Sequence, residues 1–152
     1  MTESVSEARK LNSIANKNRC ILQIGHLEQF NPAIRKLKSQ LKDPEFIEVH
    51  RLCEFNPRAT DVDVVLDLMI HDIDIVLSLI DKNIKKISVS GKKVITNLID
   101  IANVRMEFED NVVANLTASR ISTKNERKMR IFLKNAYYSV DFMSNELKRL
   151  MK

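Results

Sequence analysis

A change of period constrains this chain more than any other feature. Up to Ile80 most apolar residues recur at helical spacing, and from Ile84 onward they alternate. The alternating runs Ile84 to Ser90, Ala102 to Phe108, Val112 to Ser119, Lys128 to Leu133 and Tyr138 to Phe142 read as strands. Glu109-Asp110-Asn111 and Lys134-Asn135-Ala136 carry turn residues between strands and read as hairpins. Helices followed by strands predict an α+β domain, an open antiparallel meander with helices packed on one face. Lys128 to Leu133 would place Met129, Ile131 and Leu133 on one face and Lys128, Arg130 and Phe132 on the other. Glu146 to Met151 reads as the start of a last helix. With 152 residues the chain can bury one substantial core.

The first half opens with a helix capped by Thr2 or Ser4 and running to about Asn16; Ser4 and Glu7 have capping-box spacing. Ala8, Leu11, Ile14 and Ala15 would form its buried face. Cys20 to Ile24 is a short apolar run of the kind found in buried strands. Helix then buried strand is half of an α/β unit. Asn31-Pro32 opens a second helix with Ala33, Ile34, Leu37 and Leu41 inward, stopped at Lys42-Asp43-Pro44. Phe46 to Cys53 is a strand with Ile47, Val49 and Cys53 sharing a face, and Asn56 to Thr60 is a loop.

Val64 to Ile80 is apolar nearly all round and should be a buried helix. Its polar residues Asp67, His71, Asp74 and Ser78 lie at i, i+4, i+7 and i+11. At about 100° per residue they fall within roughly 60° of one another, a narrow polar stripe. The pair Asp67/His71 is the leading candidate for chemistry. A carboxylate beside an imidazole fixes its tautomer and raises its basicity, as a general acid/base near neutral pH requires. The same spacing also suits a buried histidine satisfied by a neighbouring carboxylate.

Composition narrows the alternatives. Gly25 and Gly91 are the two glycines. A dinucleotide fingerprint takes three glycines within six positions and a P-loop takes two, so this chain holds no phosphate-cradling loop of either kind. His26, His50 and His71 match no zinc spacing, and Cys20 and Cys53 form no C-x-x-C pair, so no metal site is expected and both thiols should be reduced and near the core. No run approaches a membrane span, and the N-terminus lacks the apolar stretch of a signal peptide, which makes the expected location cytoplasmic. Net charge is +5 and the pI is near 9.3. The basic stretch Arg120, Lys124, Arg127, Lys128 and Arg130 fits either a solvated strand face or a phosphate contact. With aromatic residues at 5% and no Trp, a stacking platform for nucleic acid is not expected.

Several of these segments resemble a known family. Ile24-Gly25-His26-Leu27-Glu28-Gln29-Phe30-Asn31-Pro32-Ala33 is similar to a G-H-x-E-R-F-N-P-A junction, and Asp63 to Asp74 contains a D-x-x-x-H-x-x-D helix. With Ala118 to Ser122 and Arg127 to Phe132, they resemble the Gfo/Idh/MocA NAD(P)-dependent sugar oxidoreductases over nearly the whole chain. The wording is nearest the branch of UDP-N-acetylglucosamine 3-dehydrogenase-like members.

The resemblance implies a Rossmann domain for the nicotinamide cofactor and a second domain for the sugar and for oligomerisation. It makes residues 1–25 the last helix and strand of the former, and residues 26–152 the latter, incomplete at its C-terminus. His71 is implied as general base or proton relay, with Asp67 as its partner and a substrate ligand. Arg120, Ser122 and Lys128 are implied contacts to an anionic sugar nucleotide, and Asp74 a structural contact. Gln29 stands where the junction motif has Arg, and the E-K-P motif with its catalytic lysine is absent. NAD or NADP is therefore implied for the complete enzyme and not for this chain alone. The expected partners are a sugar or sugar-nucleotide substrate and either a second copy, through the sheet, or a separate Rossmann-containing chain. A non-catalytic oligomerisation module is the alternative reading, motivated by the apolar row Met129, Ile131 and Leu133. Neither nucleic acid nor membrane is expected as a partner.

Overall fold

The structure, a computed structural model, describes Thr2, residues 4–57 and residues 61–151. The end of the expected loop at Asn56 to Thr60 lies outside the described residues.

Helix α1 (Val5–Lys17) starts at Ser4 through a complete capping box: Ser4 Oγ accepts from Glu7 N, and Glu7 Oε2 accepts from Ser4 N. No residue of α1 is buried, although its apolar face was expected to be. Ala8 and Leu11 of that face line a cavity together with Leu22 and Ile24. Cys20 to Ile24 forms no strand either. A ladder requires a second backbone alongside, and an apolar run alone supplies none. Cys20 is exposed, against expectation, while Cys53 is half-buried; both are free thiols.

A 3₁₀ turn (Leu27–Phe30) leads into α2 (Pro32–Gln40). Asn31 Oδ1 accepts from Ala33 N at 2.9 Å and Pro32 occupies the first turn, so the cap and the missing N–H coincide where a helix start tolerates them. Ala33, Ile34 and Leu37 are buried as the spacing predicts. After β1 (Phe46–Leu52), residues Val65–Met69 wind as one π-helical turn that continues directly into α3 (Ile70–Leu79).

The strands β2 (Ile84–Lys92), β3 (Ile101–Phe108), β4 (Val113–Ser119), β5 (Glu126–Phe132), β6 (Ala136–Asp141) and β7 (Glu146–Met151) join β1 in one seven-stranded sheet, order β2-β3-β4-β1-β5-β6-β7. The fold is α+β, a mainly antiparallel open sheet, as expected. Two details differ. Strand β1 inserts at the centre, parallel to β4 (Val49 opposite Leu116) and antiparallel to β5 (Val49 opposite Met129). Glu146 to Met151 is a strand paired with β6, not a helix. Its start and its partner's end are joined by a short turn in which Asn145 has φ 57°, and backbone pairing with β6 decides its conformation.

Both expected hairpins are present. Asp110 and Asn111 take φ of 54° and 60° between β3 and β4, conformations that Asn and Asp tolerate. Leu133 N donates to Ala136 O at 2.9 Å between β5 and β6. Ile47, Val49, Met106, Leu116, Met129, Ile131 and Tyr138 form the sheet's inner layer, covered by Ile34 and Leu37 of α2 and by Met69, Ile75 and Val76 of the third helical segment. Met129 and Ile131 are therefore core residues. The apolar row that motivated an interaction module is already covered by this chain's own helices.

Candidate active site

The site is a cavity of about 650 Å³ beneath the junction turn, lined by Glu28 and Phe30 of that turn, Arg51 of β1, Asp67 and His71 of the third helical segment, and Arg127 of β5. Its walls come from segments far apart in sequence, and one buried ion-pair cluster ties three of them together. Arg51 follows Ile47 and Val49 at period two, so it points inward with them and is 3% exposed. Its Nε and Nη2 donate to the two carboxylate oxygens of Asp72 at 2.8 and 2.7 Å, and Nη1 donates to Glu28 at 3.3 Å. The guanidinium also lies 5.5 Å from the Phe142 ring centroid. Burial disfavours the Arg51 charge, but Asp72 and Glu28 outweigh it and hold its pKa above the ordinary arginine value. For Asp72, burial pushes the carboxyl up against the opposing bonds from Arg51.

This cluster was not foreseen. Its signal was present in the alternation of β1, where a charged residue occupies an inward position and must find a buried counter-charge. Asp72, next to His71 and off the polar stripe, supplies it.

His71 and Asp67 both line the cavity, but no hydrogen bond joins them. Asp67 lies within the π turn, whose i→i+5 bonding widens the helix and changes the i, i+4 relation assumed for a regular one. His71 Nδ1 is buried and has no hydrogen-bond partner. The ring meets that of His26 edge-on, with centroids 6.1 Å apart. Burial, and then the nearby Arg51 charge, lower the His71 pKa, opposed by Asp72 and Glu28; the effect is opposite in sign to the raised basicity expected from an adjacent Asp67. The imidazole is consequently neutral at pH 7, the form that accepts a proton.

Asp74 accepts a hydrogen bond from Gln29 Nε2, which also donates to the Asp74 carbonyl at 3.1 Å. Gln29 Oε1 in turn accepts from Lys38. Asp74 thus anchors the junction turn onto α3, and Gln29 serves as a tie between elements. Ser78 Oγ donates to Ile75 O at 2.7 Å, outside the cavity lining.

The other expected site residues are elsewhere. Arg120 is buried, with Nη2 donating to Val62 O at 2.6 Å and Nε 3.9 Å from Asp100. Ser122 bonds through its backbone N to Cys53 O at 3.0 Å. Lys128 points to the other face of β5, 3.9 Å from Asp141. None of these three lines the cavity that holds His71. Burial and the Asp67 charge push the Cys53 thiol up, which keeps it protonated at neutral pH. Among the described residues no three His, Cys, Asp or Glu side chains gather as a metal site requires, and no helix is long and apolar enough to cross a membrane.

Residues 34–139 match the model of the GFO/IDH/MocA C-terminal domain. The chain belongs to the Gfo/Idh/MocA family. UDP-N-acetylglucosamine 3-dehydrogenase of Acidithiobacillus ferrooxidans is 38% identical over 147 residues, which is 96% of this chain and 47% of that protein. A solved structure of the same enzyme, GnnA, superposes with a TM-score of 0.91 at 37% identity, covering 99% of this chain and 50% of the other. An inositol dehydrogenase homologue from Azotobacter vinelandii, solved with NADH and myo-inositol, has a similar fold, with a TM-score of 0.82 at 16% identity over 97% of this chain and 47% of that one. The chain spans about half the length of the curated relative it matches.

Proposed function

We propose that this chain is the substrate-binding part of an NAD(P)-dependent oxidoreductase acting on a sugar or sugar nucleotide. In such an oxidation the hydroxyl gives its proton to a base and the carbon gives hydride to the nicotinamide. The described residues do not fit the dinucleotide itself. Among the described residues neither glycine takes a positive φ or opens a helix, so neither offers a glycine-lined backbone cradle for a pyrophosphate. What these residues can do concerns the proton and the substrate's position.

One observation carries the reading: a neutral imidazole, His71, faces a cavity large enough for a sugar, with the Asp67 carboxylate in the same wall. His71 accepts or relays the hydroxyl proton, and Asp67 accepts a hydrogen bond from a substrate hydroxyl. The Arg51–Asp72–Glu28 cluster holds β1, α3 and the junction turn so that both face the cavity.

Residues 1–25 belong, on this reading, to a Rossmann domain supplied by the rest of a longer protein or by a separate chain. The uncovered apolar side chains Leu11, Ile14, Leu22 and Ile24 support this. A homo-oligomer through the outer sheet face is part of the same proposal; that face carries the exposed Phe132, and light scattering tests it. Titration of UDP-N-acetylglucosamine into the isotopically labelled chain tests the site. Saturable shifts of the His71 imidazole and the Asp67 amide are expected, and their absence at saturating ligand refutes the assignment.

A further inference from the structure

The cavity needs a cation if its substrate carries an anion, and the positions implied by family resemblance do not provide one there. Arg120 is engaged by Val62 O and Asp100, and Lys128 faces the opposite side of the sheet. Lys124 pairs with Glu126 and Arg130 with Glu48. Arg51 lines the cavity, but two carboxylates already offset its charge.

Arg127 is different. It lies opposite Arg51 in the antiparallel β1–β5 register, so the two arginines project on the same side of the sheet, and both line the cavity. Its side chain is exposed and forms no ion pair among the described residues. Its backbone is fixed, because Arg127 O accepts from Phe142 N at 2.9 Å. Asp67 likewise makes no ion pair, with Arg127 or any other described residue. The cavity thus has a proton-accepting wall, Asp67 and His71, and a cationic wall, Arg127.

We propose that Arg127 is a specificity-determining residue of this cavity, binding the anionic group of a substrate whose hydroxyls face Asp67 and His71. The anion is a diphosphate in a sugar nucleotide or a carboxylate in a sugar acid; a guanidinium fork pairs with either through two parallel hydrogen bonds. This inference rests on the sugar-binding reading of the site.

The test uses the whole chain and its Arg127→Ala and Arg127→Lys variants, titrated calorimetrically with UDP-N-acetylglucosamine, glucuronate and neutral N-acetylglucosamine. Arg127 is exposed, so both variants should melt like the parent. Arg127→Ala is expected to weaken binding of the anionic probe about tenfold or more, with partial recovery in Arg127→Lys and no change for the neutral sugar. The probe that shows this loss identifies the source of the anion. Unchanged anion binding in Arg127→Ala overturns the proposal, as does failure of both anions to bind. Loss of anion binding in Arg127→Ala while His71 resonances never respond to ligand upholds Arg127 and removes the proton role of His71 instead.

Discussion

Replacing Arg51 by Met tests the cluster on which the site's geometry depends. The substitution keeps the length of the side chain and removes its charge. Asp72, with a side-chain exposure of 2%, would then be left with no counter-charge bonded to it, because both of its short bonds come from Arg51. Breaking a buried pair in this way costs about 3–5 kcal/mol, a large part of the roughly 5–15 kcal/mol that holds a domain folded. At a urea dependence of about 2 kcal/mol per molar, the midpoint should fall by roughly 2 M. The loss should also depend on pH. Burial holds the Asp72 carboxyl above its ordinary range, and without Arg51 it rises further. A carboxyl with a raised folded pKa binds more protons folded than unfolded. Stability therefore falls as pH rises from its ordinary value through the raised one. The deficit should accordingly be smaller near pH 4–5 than at pH 7. The double variant Arg51→Met with Asp72→Leu should recover much of the stability, since no charge remains buried. Urea melts of the three variants at both pH values are the assay. A deficit below about 1 kcal/mol, equal at the two pH values, would show that the pair behaves as a solvated surface contact and would refute the reasoning.

Three further outcomes follow from individual side chains. Asp100 is buried and accepts from Val94, Ile95 and Thr96 N–H groups and from the Thr96 hydroxyl; burial alone would raise its pKa, but these bonds hold it well below the usual carboxylate range. Its contribution is present above an ordinary carboxyl pKa and is lost as pH falls below that value, so Asp100→Asn should flatten the acid limb of a thermal-stability profile. The lowered His71 pKa means that the folded chain binds fewer protons than the unfolded one below about pH 6.5, so stability should decline as pH falls through that region. His71→Gln should remove that component, and a histidine resonance titrating at or above the ordinary value would contradict it. Ser4→Ala removes the cap of α1 and should cost about 1 kcal/mol of helix stability. Because no residue of α1 is buried, hydrogen exchange should accelerate in α1 while the sheet's exchange stays unchanged.

Much of this architecture was legible in short windows of sequence, and for a consistent reason. The capping box at Ser4 and Glu7, the Asn31-Pro32 helix start, the inward set Ala33, Ile34 and Leu37, and the Asp110-Asn111 turn are all decided within a few residues of where they occur. The alternation from Ile84 onward determined the fold class, because in β3, β4 and β6 the side-chain period and burial on one face coincide. The helical spacing within Val64 to Ile80 placed His71 and Asp67 on one helical segment, and the structure sets both in the wall of one cavity.

What required the tertiary structure was everything that depends on a distant neighbour. Glu146 to Met151 is a strand because β6 lies beside it, and Cys20 to Ile24 is not one because no strand among the described residues pairs with it. Local spacing joined Asp67 to His71, but a π turn separated them, and the lowered His71 pKa arises from burial and Arg51 instead. Arg51 meets Asp72 only because β1 inserts into the centre of the sheet beneath α3. Arg127 shares the cavity with them through strand register, while Lys128, one residue on, faces away. The sequence by itself determined which elements form and which faces are apolar, since those are properties of the chain within a few residues. The tertiary structure alone decided which charges are buried together and which are left facing the cavity, because Coulomb and desolvation energies depend on distances that only the packed fold sets.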